Sequence, residues 1–192
     1  MRLRRNLKSA DLLSRLNGEI IAHASNCALE QTRFARCSPR PLESMAKRAR
    51  RLMTAEEKWC ATCRRRVRQH LAGESVRHGR IGSWPAWHVA PYVSVWAVES
   101  QARPGWVGWW VISGDVPTDY ESAARIKHPR TALRAFAKRW LAAANCMRRG
   151  RAHPTFKIGA RSDWRTLGPL LRARAKLLVR CANDDKAWRH AL

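Results

Sequence analysis

The stretch WPAWHVAPYVSVWAVESQARPGWVGWWVISGDVPTDY, residues 84–120, decides the fold. It holds six of the ten tryptophans: Trp84, Trp87, Trp96, Trp106, Trp109 and Trp110. Two apolar runs, 89–98 and 106–112, are rich in β-branched and aromatic residues and are separated by ESQARPG at 99–105. That composition, bounded by Gly and Pro, predicts two strands joined as a hairpin. Along the first run Tyr92, Ser94, Trp96 and Val98 share one face, and Val93, Val95 and Ala97 the other. Along the second, Val107, Trp109 and Val111 oppose Trp106, Trp110 and Ile112. Both faces are largely apolar, so the hairpin is expected to be covered on both sides. A hairpin of two strands is not stable alone in water, and helices must supply the cover.

The flanking sequence contains them. Trp59, Cys63, Val67 and Leu71 recur every fourth residue, the spacing of a helix face. Thr54-Ala-Glu-Glu57 ahead of them is a capping box, in which hydroxyl and carboxylate satisfy reciprocal backbone donors. This helix should end near Gly73 or Gly79. After Tyr120 a loop is expected to lead to His128-Pro129, with Pro suited to a first helical position. Leu133, Phe136, Trp140, Ala144 and Met147 then mark one face, and Gly150 the end. Ser162 is a candidate cap for a last helix bearing Leu167, Leu171, Leu178 and Cys181, whose first turn Gly168-Pro169 should disturb. The expected fold is α+β: a small antiparallel sheet built on the Trp-rich hairpin (about 88–114), covered by three helices, with Trp109 and Trp140 in the core. A single domain over 53–192 is expected.

At 192 residues and 45% apolar content the chain suffices for one good core. The net charge of +24 is far from ordinary and points to an anionic partner. A compositional source stands beside that reading, since Arg outnumbers Lys 30 to 8, as a GC-rich coding sequence produces without selection for binding. Residues 1–52 hold 12 Lys and Arg against 4 Asp and Glu and contain no Trp or Tyr. Their basic run at 47–51 reads as a nucleic-acid arm or a solvated tail. A helix start directly after Met53 supports a third reading, in which 1–52 is a basic extension upstream of the natural start. No run of signal-peptide or membrane-span length is seen. The six cysteines form no disulfide framework, so a cytoplasmic setting with free thiols is expected.

Few residues suggest chemistry. Asp115, Asp119, Tyr120 and His128 are the polar groups near the hairpin. Two carboxylates four apart, with Tyr and His near, can act as acid and base in hydrolysis or bind a hard cation. The plainer reading is that both Asp bond their own loop, as Asp does beside Gly and Pro. Cys60-Ala-Thr-Cys63 has CxxC spacing but lacks a second ligand pair, so no metal site and no cofactor are expected. Arg130, Arg134 and Lys138 stack at i, i+4 and i+8, and so do Arg172, Lys176 and Arg180. Like charges at that spacing cost roughly 0.2–0.5 kcal/mol per pair unless a counter-charge is present. Phosphates or an acidic protein would supply one. Against nucleic acid, the aromatics are expected in the core, leaving no stacking platform.

Residues 107–120 (VGWWVISGDVPTDY), followed by His128-Pro-Arg130, resemble a small bacterial family, domain-of-unknown-function family 4826. The resemblance extends more loosely from Met53 through Trp87-His88, residues 96–100 and Trp140 to Asp184-Asp185. It implies an α+β domain and carries no established activity, cofactor or catalytic residue. It also implies a more acidic domain, with carboxylates where this chain has Arg172, Lys176 and Arg180. Three functional classes follow. The favoured one is a small cytoplasmic binding or interaction domain whose partner is an unidentified protein. The others are a nucleic-acid or ribosome-associated protein contacting phosphate through Arg and Lys, and a hydrolase or metal enzyme using Asp115 and Asp119. No membrane partner is expected.

Overall fold

In the computed structural model residues 53–189 are described, so the expectations for 1–52 lie outside them. The two apolar runs pair as read, within a longer sheet. Strands β1 (Trp87–Val89), β2 (Val93–Glu99), β3 (Val107–Gly114) and β4 (Asp119–Ser122) form one antiparallel meander in that order. The first run gives β2, and its first residue, Val89, ends the separate strand β1. Pro91 has no N–H for a ladder, and the chain reverses there, with Tyr92 donating to the Val89 carbonyl at 2.8 Å. Strand β4 occupies the place where a loop was expected, and its alternation puts Asp119 and Glu121 on one face and Tyr120 and Ser122 on the other.

The register aligns Trp96 with Val111 and Val98 with Trp109. Helix α1 (Ala55–Gly73) covers this face with Cys60, Cys63, Val67 and Leu71. Its capping box is formed: Glu57 N–H donates to the Thr54 hydroxyl at 3.1 Å, and Thr54 N–H to the Glu57 carboxylate at 2.6 Å. Ser94 and Ser113 are buried polar exceptions on the same face. Trp96 donates to the Ser94 hydroxyl, which donates to the Ser113 carbonyl, both at 2.9 Å, so no desolvated group is left unmet there.

The other face is covered by helix α2 (Pro129–Arg148), and helix α3 (Trp164–Asn183) packs on α2. Leu133, Phe136 and Trp140 of α2 are fully buried, as their spacing predicts. Ser162 does not begin α3. A 3-10 turn at Arg161–Asp163 precedes it, and Gly168-Pro169 lie inside the helix. Trp109 is only partly buried, because it stands opposite Ser122 in the last pair of the β3–β4 ladder. Gly114 has φ 139°, and a Cβ there would collide with the Tyr92 carbonyl, so only Gly fits the end of β3. Residues 53–183 belong to one compact unit; Asp184 onward belongs to another, of which a 3-10 helix at Asp185–Trp188 is described.

Trp140→Ala should cost about 3–5 kcal/mol in urea unfolding, the range for removing a large buried aromatic. The turn between β2 and β3 is fixed by Glu99, whose carboxylate accepts from Gly105 N–H at 2.7 Å and Arg80 N–H at 2.9 Å. These donors, Arg80's first and then Gly105's, lower its pKa from 4.5 to about 2. A depressed carboxylate pKa contributes stability that is present above pH 4.5 and lost as pH falls through about 2. Glu99→Gln should flatten the urea midpoint across that window, measured at several pH values by tryptophan fluorescence.

Candidate functional site

The pleat of β4 separates the acidic candidates. Asp119 and Tyr120 are neighbours in sequence and so point to opposite faces of the sheet. Asp119, 7% exposed, turns toward α2: it accepts from the Trp140 indole at 2.8 Å and pairs with Arg139 at 2.7 Å. Arg139 also pairs with Glu121 at 3.0 Å and donates to the Tyr120 carbonyl at 2.7 Å. Burial pushes the Glu121 carboxyl up, with Arg139 opposing the shift. Tyr120 lies on the α1 side, its ring 5.6 Å from Trp109 and 5.9 Å from His70. Asp115, beyond β3, holds Arg174 of α3 at 3.1 Å, and its carbonyl accepts from the same guanidinium at 2.7 Å. His128 caps α2, its Nδ1 accepting from Arg130 N–H at 3.1 Å; burial, then Arg130, lowers its pKa, which keeps that nitrogen an acceptor. Each of the four candidates thus engages a different helix or helix end. The groups brought together are Asp119 and Glu121, around Arg139.

Cys60 and Cys63 are buried under the sheet, and burial pushes the Cys63 thiol up, away from reactive thiolate character. Among the described residues no cluster of three or more His, Cys, Asp or Glu is placed to hold a metal ion.

The basic residues divide by position. Arg130 and Arg134 both donate to the Ala182 carbonyl, at 2.6 and 3.0 Å, so the start of α2 lies beside the end of α3. Two cations on the carbonyl-bearing end of a helix meet its negative pole, a favourable arrangement. Lys138, Arg172, Lys176 and Arg180 are exposed. A denser group went unnoticed in the sequence because it comes from two helices. Where α2 ends and α3 begins, Arg148, Arg149 and Arg151 meet the segment carrying Arg161, Arg165 and Arg172, and Asp163 is the lone carboxylate between residues 148 and 172. The run Arg148-Arg149-Gly-Arg151 was the available signal. Asp163 is itself bonded locally, to Ser162 and the Ala160 N–H. One aromatic also departs from expectation: Trp106, in the β2–β3 turn, is 58% exposed with the Arg103 guanidinium 3.9 Å above its ring.

Asp119→Asn keeps an acceptor for Trp140 and removes one of the two anions facing Arg139. It should cost about 1–3 kcal/mol in urea unfolding, the scale of a weakened buried charged hydrogen bond.

No curated protein and no solved structure matches the chain. The family described as Domain of unknown function (DUF4826) matches residues 53–188, and the chain belongs to that family.

Proposed function

We propose that this chain is a small cytoplasmic binding domain whose partner is an acidic protein surface. The observation that carries the reading is the arginine group at the loop end of the α2–α3 hairpin, which outnumbers its single local carboxylate six to one. Charge of one sign gathered on one end of a domain steers and orients an oppositely charged partner. The described residues hold 26 Lys and Arg against 10 Asp and Glu. Several of those carboxylates already serve the fold, as Glu57, Glu99, Asp115, Asp119 and Glu121 do. The cytoplasmic setting is supported by Cys63 and Cys146, which form no disulfide. Among the described residues no helix is long and apolar enough to cross a membrane. A hydrolase or metal enzyme built on Asp115 and Asp119 has less support, since each is engaged by an arginine of a different helix.

Trp106 favours a second reading. An exposed indole stacked with Arg103 is the pairing that receives unstacked bases, so nucleic-acid phosphate and base contact is the alternative. Titration with polyglutamate and with generic duplex DNA, at low salt and at about 0.15 M, separates the two. The protein reading predicts duplex binding that is gone at the higher salt while polyglutamate binding is retained. Nucleic-acid binding predicts a log–log slope of about −0.9 per phosphate contacted, made shallower by about 1 for each arginine lost in Arg149→Gln and Arg151→Gln. A chain that leaves heparin at low salt would remove both readings.

A further inference from the structure

Between the last turns of α2 and the first turns of α3 lies a cavity of about 390 Å³, within the range of small-ligand sites. Its apolar walls include Met147, Trp164 and Pro169. Gly168 is also in the wall, where a Cβ would stand 3.5 Å from the Met147 Cβ, so the helices approach closely and no side chain fills the space between them. Arg148, Arg165 and Arg172 complete the lining, and no carboxylate belongs to it. Among the described residues none of these three arginines is paired with an acid.

The fold accounts for one of the three. Arg148 sits at the C-terminal end of α2, where a cation is favourable. Arg165 sits in the first turn of α3, the positive pole of that helix, where a cation is the disfavoured sign; the nearest carboxylate in sequence, Asp163 of the preceding 3-10 turn, is bonded to Ser162 and the Ala160 N–H. Trp164 carries a second unmet demand. Its indole N–H is buried without an acceptor, whereas buried tryptophans usually find one, and Arg161 lies over its ring at 5.5 Å.

From the cavity, its charge and this unmet donor together we infer that the site binds a small organic phosphate, a flat apolar body carrying one phosphoryl group. Three guanidiniums match the three terminal oxygens of a phosphate ester better than the two of a carboxylate. The apolar body would lie against Met147, Trp164 and Pro169. The inference rests on the reading of the hairpin's loop end as an anion-binding surface and adds to it a small ligand held in the cavity.

The test is calorimetric titration of the full chain with 1-naphthyl phosphate, inorganic phosphate and 1-naphthoate at fixed ionic strength. One site is expected, with naphthyl phosphate at least about tenfold tighter than either of the others. Arg165→Gln combined with Arg172→Gln should weaken it by about tenfold or more, with the circular dichroism spectrum unchanged. Arg125→Gln, exposed and outside the cavity, should leave it as it is. Should the double variant fail to fold, Arg172→Lys keeps the charge, loses the fork and should still weaken binding measurably. Equal affinity for inorganic phosphate would overturn the apolar half of the inference, and equal affinity for naphthoate the phosphate half. Stoichiometry above one, or indifference to the variants, would overturn it entirely. Polyglutamate and duplex titrations on the same samples keep the two readings apart. Naphthyl phosphate binding without either polymer sinks the surface reading alone, and polymer binding without naphthyl phosphate sinks the cavity.

Discussion

The β2–β3 hairpin is apolar on both faces, and the arrangement of everything around it follows from that. A sheet with one wet face needs one helical layer; this one needs two. Helix α1 closes the face of Trp96, Val98 and Val111 with side chains three or four residues apart. Helix α2 closes the other, and it is itself buried along Ala132, Leu133, Phe136, Ala137, Trp140, Ala143 and Ala144. A stripe that wide cannot be covered by the sheet alone, so α3 must pack on α2. The single helix on one side and the paired helices on the other are therefore one solution to one burial problem.

Periodicity made most of this legible. The α1 face, the α2 face and the two central strands have unbroken apolar spacing, and the structure keeps them. Strand β4 lacked such a signal. Asp-Tyr-Glu-Ser contains no apolar pair to alternate, and two of its residues are acids, which sheets disfavour. It is a strand by its ladder with β3, and Arg139, distant in sequence, bridges Asp119 and Glu121 and ties this edge strand to α2. Sequence reading can find a turn chemistry for Asp beside Gly and Pro; it has no means of finding a tertiary counter-ion. The candidate acids were grouped by their nearness to the hairpin in sequence, and once the pleat is present it sends neighbouring residues to opposite sides.

The basic columns show the same limit. Counted along one helix, Arg130, Arg134 and Lys138 are a repulsive stack. Across the helix pair, two of the three meet the carbonyl of Ala182, which a single-helix count cannot see. The repulsion is offset by the negative pole of the neighbouring helix.

The two ends of the α2–α3 hairpin therefore differ in kind although both are arginine-rich. At the end where α2 begins and α3 stops, arginines and terminal carbonyls satisfy one another, and the charge belongs to the fold. At the opposite end the pattern inverts for one partner. Arg148 meets the carbonyl pole of α2, whereas Arg165 stands on the amide pole of α3, and Arg172 lies beside the same cavity without an acid. A basic residue at an amide pole is neutral or unfavourable for the helix that carries it. Among the described residues neither Arg165 nor Arg172 is paired with an acid, and this is the ground on which an anion site is proposed there. This asymmetry between two ends of one helical pair separates structural arginine from available arginine, and it locates the surplus charge at the loop end.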